Sequence, residues 1–187
     1  MKIRLATPNI QKDSVVDGEG IRAVIWTQGC SHNCPGCHNP ETHDFNSGYL
    51  VDICDVKKQI EELVASHNGI TLSGGDPLMQ VDSCLELAKY AESLGLNVWC
   101  YTGFTFEELL LASKSKPIIK EFLNTIDVLV DGRFKIEEKT FDAIFRGSRN
   151  QRVIDTKKSL IKNKVVEIPK YKVNKPIKKV PEQHLYI

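Results

Sequence analysis

Apolar residues along this chain recur at two spacings, and the two kinds of segment alternate. Continuous apolar stretches, which are typical of buried strands, occur at residues 21–28, 69–75, 97–103 and 127–132. Apolar residues at helical spacing fill the intervals, at residues 52–67, 81–95, 105–113 and 116–125. A further stretch, RVIDTKKSLI (152–161), indicates a last strand. Alternating apolar strands and helices predict an α/β fold with a mainly parallel sheet.

Each predicted strand ends in a segment that suggests chemistry. Residue 28 is followed by GC and two more cysteines, the second strand ends in SGGDP, the third in YTG and the fourth in DG. Ligands of open α/β sheets bind beyond the carboxyl ends of the strands. The sequence therefore predicts one site at that edge of the sheet.

Composition limits the classes of partner. The chain has 187 residues, 41% of them hydrophobic, which is enough for one domain. Its net charge of +1 argues against electrostatic binding of nucleic acid. Residues 157–187 hold nine Lys and two Glu, so we predict a domain at residues 1–156 and a Lys-rich C-terminal extension, extended or partly ordered, at 157–187. The N-terminus lacks an apolar signal segment and no stretch is long enough for a membrane span, so we expect a cytoplasmic protein without membrane contact.

Three cysteines lie within GCSHNCPGCHNP (29–40), with the spacing C-x3-C-x2-C. Thiolates suit zinc or an iron–sulfur cluster, and a reducing compartment makes metal binding more common than disulfides. A zinc site would need a fourth ligand, for which His32, His38 and His43 are candidates. A [4Fe–4S] cluster normally takes four cysteines, so three would leave one iron open to chemistry. The loop alone leaves both alternatives open; the other cysteines, Cys54, Cys84 and Cys100, are expected to be core or boundary residues.

The cysteine spacing resembles the signature of the radical S-adenosylmethionine enzymes. In that family three cysteines hold a [4Fe–4S] cluster, and the amino and carboxylate groups of S-adenosylmethionine chelate the fourth iron. One electron from the cluster then cleaves the cofactor to a 5′-deoxyadenosyl radical. Gly36 stands where the family usually has an aromatic residue, and C-x-G-C is similar to one branch, the activating enzymes of anaerobic ribonucleotide reductases.

The resemblance implies a fold, a reaction and partners. The fold would be a partial (β/α) barrel, open on one side for a macromolecular substrate. The reaction would remove a hydrogen atom from a glycine Cα of an anaerobic ribonucleotide reductase and leave a glycyl radical. Flavodoxin or ferredoxin would supply the electron.

The resemblance also implies roles for individual residues. Cys30, Cys34 and Cys37 would ligate the cluster. SGGDP resembles the family's GGEP-type motif, while YTG, DVLVDGRF (127–134) and the G-S-x-N-Q core of FRGSRNQR (145–152) resemble segments at later strand ends. The residues implied to bind S-adenosylmethionine or to line its site are Gly36, His38, Ser73, Gly74, Gly75, Asp76, Thr102, Asp131, Ser148 and Asn150. DGEGIR (17–22) resembles the opening of glycyl-radical activases, where Asp17 and Arg22 either pair, line the site or form a surface turn.

Three alternatives stay open at this point. The chain resembles activases of pyruvate formate-lyase and other glycyl radical enzymes in DGxGxR and in the cysteine loop. A small radical enzyme acting on a purine-like substrate is a second alternative. A zinc-stabilised binding module belongs to a different class, and metal and sulfide analysis separates it from the others.

Overall fold

The computed structural model describes residues 1–172, so residues 173–187 of the predicted Lys-rich extension lie outside the described part of the chain. Within residues 1–172, eight strands form one sheet; they are β1 Lys2–Leu5, β2 Gln11–Ser14, β3 Arg22–Thr27, β4 Tyr49–Asp52, β5 Gly69–Gly74, β6 Asn97–Tyr101, β7 Val128–Asp131 and β8 Arg152–Asp155. The α-helices of the same part are α1 Ile53–Glu61, α2 Val81–Ser93, α3 Phe106–Ala112, α4 Pro117–Thr125 and α5 Thr156–Lys162. The predicted α/β class is confirmed.

The four central strands are parallel, and the outer strands are not. The sheet order is β4-β1-β3-β5-β6-β7-β8, with β2 also paired to β3. Strands β3, β5, β6 and β7 run parallel, whereas β1, β2 and β8 are antiparallel to the central strand that each contacts. Over the described residues the sheet stays open, with β4 and β8 as its two ends. The carboxyl ends of the parallel strands therefore meet at one edge, as the sequence predicted.

The two faces of the sheet are covered differently. One face packs against the helices in a large core that includes Ile25, Leu72, Leu129 and Phe122. The opposite face holds a smaller aromatic cluster in which Trp99 contacts Phe145 and Tyr171. None of the described helices is long and apolar enough to cross a membrane.

Two predicted elements end five or more residues before their expected bounds. The helix expected over 52–67 ends at Glu61, because the chain tightens into turns before it enters β5. The strand expected over 152–161 covers only Arg152–Asp155. Asp155 ends it, since its carboxylate accepts the Lys158 N–H (2.9 Å) and caps α5.

The first part of the predicted extension packs on the sheet. After α5 the chain turns back, and the Ile168 N–H donates to Val153 O (2.9 Å) beside β8. Tyr171 is buried against Trp99, and its hydroxyl donates to Glu19 (3.0 Å) in the loop before β3. Lys170 forms an ion pair with the same carboxylate at 2.6 Å. Residues 164–171, called the C-terminal strap below, therefore connect β8 with the loop before β3.

Candidate functional site

The cysteine loop leaves the carboxyl end of β3 and is fixed there by the backbone. The Gly29 N–H donates to Thr42 O (2.8 Å), and the Cys30 N–H donates to His43 O (3.1 Å). Gly29 O in turn accepts the Asp76 N–H at 3.0 Å. The loop is thus held on one side by its own return segment and on the other by the end of β5.

All three thiols of the loop are partly exposed. Burial raises the pKa of Cys30 and of Cys34. The Asn39 N–H lies 3.4 Å from the Cys37 sulfur, to which it donates. Within residues 1–172, no three His, Cys, Asp or Glu side chains are gathered closely enough to hold one metal ion. Cys84 and Cys100 are buried in the core and Cys54 is exposed at the start of α1, so these three stand apart from the loop.

Gly36 and His38 both face the segment after β7. Gly36 has a positive φ of 71°, and a Cβ there would lie 2.6 Å from the Ile136 side chain. The His38 ring packs beside Phe134, with the centroids 5.0 Å apart. The cysteine loop therefore contacts the 133–147 segment through these two positions.

The SGGDP segment is in close contact with the cysteine loop. A Cβ on Gly74 would lie 2.4 Å from Thr27 O, and one on Gly75 would lie 2.4 Å from Gly29 O. Both glycines are thus required by the close approach of two backbones. Ser73 is buried and its carbonyl accepts the Thr27 hydroxyl (3.0 Å).

Asp76 and Thr102 contact each other. The Asp76 carboxylate is fully buried and accepts from the Thr102 hydroxyl (2.9 Å), the Gly103 N–H (3.0 Å) and the Leu78 N–H (2.9 Å). His32 Nε2 lies 2.7 Å from the same carboxylate. Sequence reasoning considered His32 only as a zinc ligand. Its contact with Asp76 spans 44 residues, and no local pattern signals such a pairing.

The Asp131 carboxylate forms an ion pair on the helix side of the sheet. It is fully buried, accepts the Phe106 N–H (2.8 Å) at the start of α3, and accepts two hydrogen bonds from Arg152 at 2.9 and 2.5 Å. Arg152 also binds Glu107 through two hydrogen bonds of 3.0 and 2.7 Å. These two carboxylates raise the pKa of Arg152, and Arg152 lowers the pKa of Glu107.

The 147–151 loop is closed by its own amide side chain. Gln151 accepts the N–H groups of Gly147 (3.0 Å) and Ser148 (3.1 Å), and it donates to Gly132 O (3.0 Å). Ser148 is fully buried and accepts the Lys135 N–H (3.2 Å). Asn150 donates to Arg133 O (2.8 Å). The predicted site residues of this loop therefore hold it against the 132–135 segment.

Two cavities are lined by some of the predicted site residues. One, of about 520 Å³, opens on the face opposite the helices and is lined by Cys37, His38 and Ser73 together with Tyr101 and Gln151. Apolar side chains, with Phe141 92% exposed among them, form part of its rim. A second, of about 390 Å³, is lined by Asp131 and Asn150 and contains no cysteine. A larger cavity of about 680 Å³ lies between α3, α4 and α5 and contains none of the predicted residues. The cavity beside Cys37, called the cysteine cleft below, is thus the one that adjoins the cysteine loop.

Arg22 lies at the opposite edge of the sheet, at the start of β3. It is almost fully buried, with hydrogen bonds to the Thr71 hydroxyl (2.7 Å) and to the Ile70 and Asn97 carbonyls (2.5 and 2.9 Å). Burial lowers its pKa to about 10. Asp17 accepts from Ser14 (2.5 Å) and lines the cysteine cleft. Of the three interpretations of DGEGIR, Arg22 fits none, because it ties β3 to β5 and β6 from within.

Known proteins share the cysteine-bearing region of this chain. Residues 16–154 match the family described as 4Fe-4S single cluster domain. The anaerobic ribonucleoside-triphosphate reductase-activating protein of Salmonella typhi is 37% identical over 148 residues, covering 73% of this chain and 90% of that protein. The proteins of the same name from Escherichia coli K12 and Enterobacteria phage T4 are 36% and 33% identical over 144 residues, covering 90% and 86% of those proteins and 73% and 74% of this chain.

The matched segments contain β3, the cysteine loop and the ends of β5, β6 and β7, so the likeness extends over the whole edge described above. The chain belongs to the 4Fe-4S single cluster domain family, among the anaerobic ribonucleoside-triphosphate reductase-activating proteins.

Proposed function

We propose that this chain is an activating enzyme that uses a [4Fe–4S] cluster and S-adenosylmethionine to install a glycyl radical on an anaerobic ribonucleotide reductase. The observation that carries the proposal is the loop of three cysteines at the carboxyl ends of parallel strands, next to an open cleft. The names of the relatives point to the same protein substrate. The finer fold assignment, a partial (β/α) barrel of the radical S-adenosylmethionine type, and a cytoplasmic location are parts of this proposal.

The donor set suits a cluster. Cys30, Cys34 and Cys37 supply three soft sulfur ligands, and each cysteine of a cluster binds a different iron. The other described cysteines are in the core or at α1, so a fourth thiolate is not at hand in residues 1–172. A small molecule with amino and carboxylate groups would complete the coordination. When bound, the cluster and cofactor would supply a 5′-deoxyadenosyl radical, with flavodoxin or ferredoxin as the electron source.

The chain's own residues divide into two roles under this proposal. Ser73 and His38 line the cysteine cleft, which supports contact with a bound cofactor. Asp76, Thr102 and Asp131 have their polar atoms engaged within the protein, so they support the strand ends. Gly74 and Gly75 let backbones approach closely, and Gly36 makes room for the Ile136 side chain.

Metal analysis and radical spectroscopy test the proposal. Anaerobically purified protein should contain iron and acid-labile sulfide in equal amounts, and Cys34→Ser should lose both. Cys54→Ser is the matched control, since Cys54 lies outside the loop, and it should keep them. One zinc per chain without sulfide would refute the cluster.

The reaction itself needs the partner. Incubation with an anaerobic ribonucleotide reductase, S-adenosylmethionine and a one-electron reductant should produce the doublet of a glycyl radical in electron paramagnetic resonance. Cofactor cleavage without that doublet, in the presence of a folded reductase, would refute the proposed substrate.

A further inference from the structure

His32 is wedged between the cysteine loop and the turn after β6. Its side chain is only 4% exposed, and its ring meets Phe104 edge-on at a centroid distance of 4.5 Å. A Cβ on Gly103 would lie 2.4 Å from the His32 ring. The glycine of the YTG segment therefore makes the room that this histidine occupies.

The Asp76 carboxylate joins three segments at one buried point. One oxygen accepts from Leu78, in its own turn, and the other accepts from Gly103, in the turn after β6. His32 reaches the second oxygen from the cysteine loop, and since a carboxylate oxygen accepts, Nε2 carries the proton. The Thr102 hydroxyl contacts both oxygens, at 3.1 and 2.9 Å. The ends of β3, β5 and β6 thus share one hydrogen-bonded centre.

We propose that His32 is a positioning residue that, through Asp76, fixes the cysteine loop relative to the ends of β5 and β6. The inference rests on the proposed function, because it assigns the cluster to this loop and the cofactor to those strand ends. A cofactor that bridges the cysteine loop and the strand ends requires a fixed distance between them. The pair of His32 and Asp76, called the His–Asp staple below, sets that distance from inside the protein.

Side-chain length explains why the acid is aspartate. Asp76 has no exposed surface, and all its acceptor positions are filled at 2.7–3.1 Å. A longer glutamate would have to displace His32 or leave the Gly103 N–H without its acceptor. The GGDP sequence is therefore matched to the histidine two residues after the first cysteine.

Thiol reactivity in cluster-free protein tests the staple directly. His32→Ala should raise the iodoacetamide labelling rate of Cys30 and Cys34 several-fold, because the loop loses its buried anchor. His32→Gln, whose amide can still donate to Asp76, should restore rates near those of the unaltered protein. His67→Ala is the matched control; His67 is also buried, and its Nε2 accepts the Asp13 N–H (3.2 Å) at the opposite edge of the sheet. It should leave the labelling of the three loop cysteines unchanged.

Spectroscopy of reconstituted protein distinguishes a positioning role of His32 from a general effect on the stability of the fold. His32→Ala should still take up iron and sulfide, but the change that S-adenosylmethionine causes in the reduced-cluster spectrum should be lost or reduced. Reductive cofactor cleavage should fall about 10- to 100-fold, as when the partners of metal ligands are removed. If the cluster of the unaltered protein forms but does not respond to S-adenosylmethionine, that result counts against the proposed function only. The staple is still tested, because the labelling experiment uses protein without a cluster.

Two results would overturn the staple. One is labelling of His32→Ala at the rates of the unaltered protein. The other is equal acceleration in His32→Ala and His67→Ala, which would show general loosening of the fold. Should His32→Ala fail to fold, the comparison of His32→Gln with Asp76→Asn decides: the proposal requires slow labelling in the first and faster labelling in the second.

Discussion

Replacing Asp131 with alanine tests whether this carboxylate supports the fold or faces a ligand. Sequence reasoning placed Asp131 in the cofactor site, whereas in the structure its oxygens accept from Phe106 and Arg152. The alanine variant removes the negative charge beside a guanidinium that is 27% exposed, and it leaves the first N–H of α3 without its acceptor. Arg152 keeps its two hydrogen bonds to Glu107.

The expected loss follows from burial. Removing one partner of a buried ion pair costs about 3–5 kcal/mol of unfolding free energy. Because Arg152 retains Glu107 and some contact with solvent, we expect the lower end, about 3 kcal/mol, for Asp131→Ala. Asp131→Asn keeps an acceptor for Phe106 but loses the charge, and should cost about 1.5 kcal/mol. Glu107→Gln removes the exposed partner and should cost less than about 1 kcal/mol.

Urea denaturation of cluster-free protein, followed by circular dichroism, measures these differences if the slope against urea stays constant. If Asp131 supports the fold, the loss of unfolding free energy should be largest in Asp131→Ala, smaller in Asp131→Asn and smallest in Glu107→Gln. A loss below about 1 kcal/mol for Asp131→Ala would refute the reasoning, since it would equal that of an exposed pair. If Asp131→Ala instead weakened S-adenosylmethionine binding at unchanged stability, Asp131 would belong to the cofactor site.

Three further outcomes are expected. Arg22→Met should lower the unfolding free energy by about 2 kcal/mol, because buried carbonyls lose their donor, and should leave iron content per folded protein unchanged; loss of iron alone would contradict this. Lys170 and Tyr171 lower the pKa of Glu19, so their contact stabilises above the unfolded pKa of this carboxyl and is lost as pH falls through the lowered folded value. The stability gap between the unaltered protein and Glu19→Gln in urea should therefore shrink on acidification, and a constant gap would argue against the ion pair. Gly36→Ala should cost about 1–2 kcal/mol in the same assay, because φ is 71°, and no cost would mean that the turn relaxes freely.

Sequence patterns predicted the parallel strands β3, β5, β6 and β7 and the helices α2, α3 and α4, but not the outer strands β1, β2 and β4. Thr105 and Glu108, whose spacing is typical of a helix start, form a capping box at α3 with both of its hydrogen bonds. Gly95 follows the end of α2 with a positive φ of 77°, as expected of a helix stop. The apolar residues of 152–161 did not reveal the change from strand to helix, because one capping carboxylate, Asp155, decides it.

The site was harder to predict than the fold, for a physical reason. Sequence shows which polar residues stand at strand ends, but their partners depend on contacts across tens of residues. Asp76 meets His32 and Thr102, and Asp131 meets Arg152. A buried carboxylate needs such donors, so the most prominent acids became internal supports. The ligand assignments for Cys30, Cys34 and Cys37 and for the cofactor residues stay predictions.

The C-terminal strap has a consequence for the order in which the chain folds. Tyr171 and the Glu19 that it contacts are 152 residues apart, so the contact closes nearly the whole described chain. At ribosomal rates, Glu19 waits on the order of ten seconds for Tyr171 to be made. Until then the aromatic cluster around Trp99 and Phe145 lacks Tyr171, whereas the cysteine loop has already been synthesised. The aromatic cluster around Trp99 is thus completed only after the cysteine loop and all the described strands have been made.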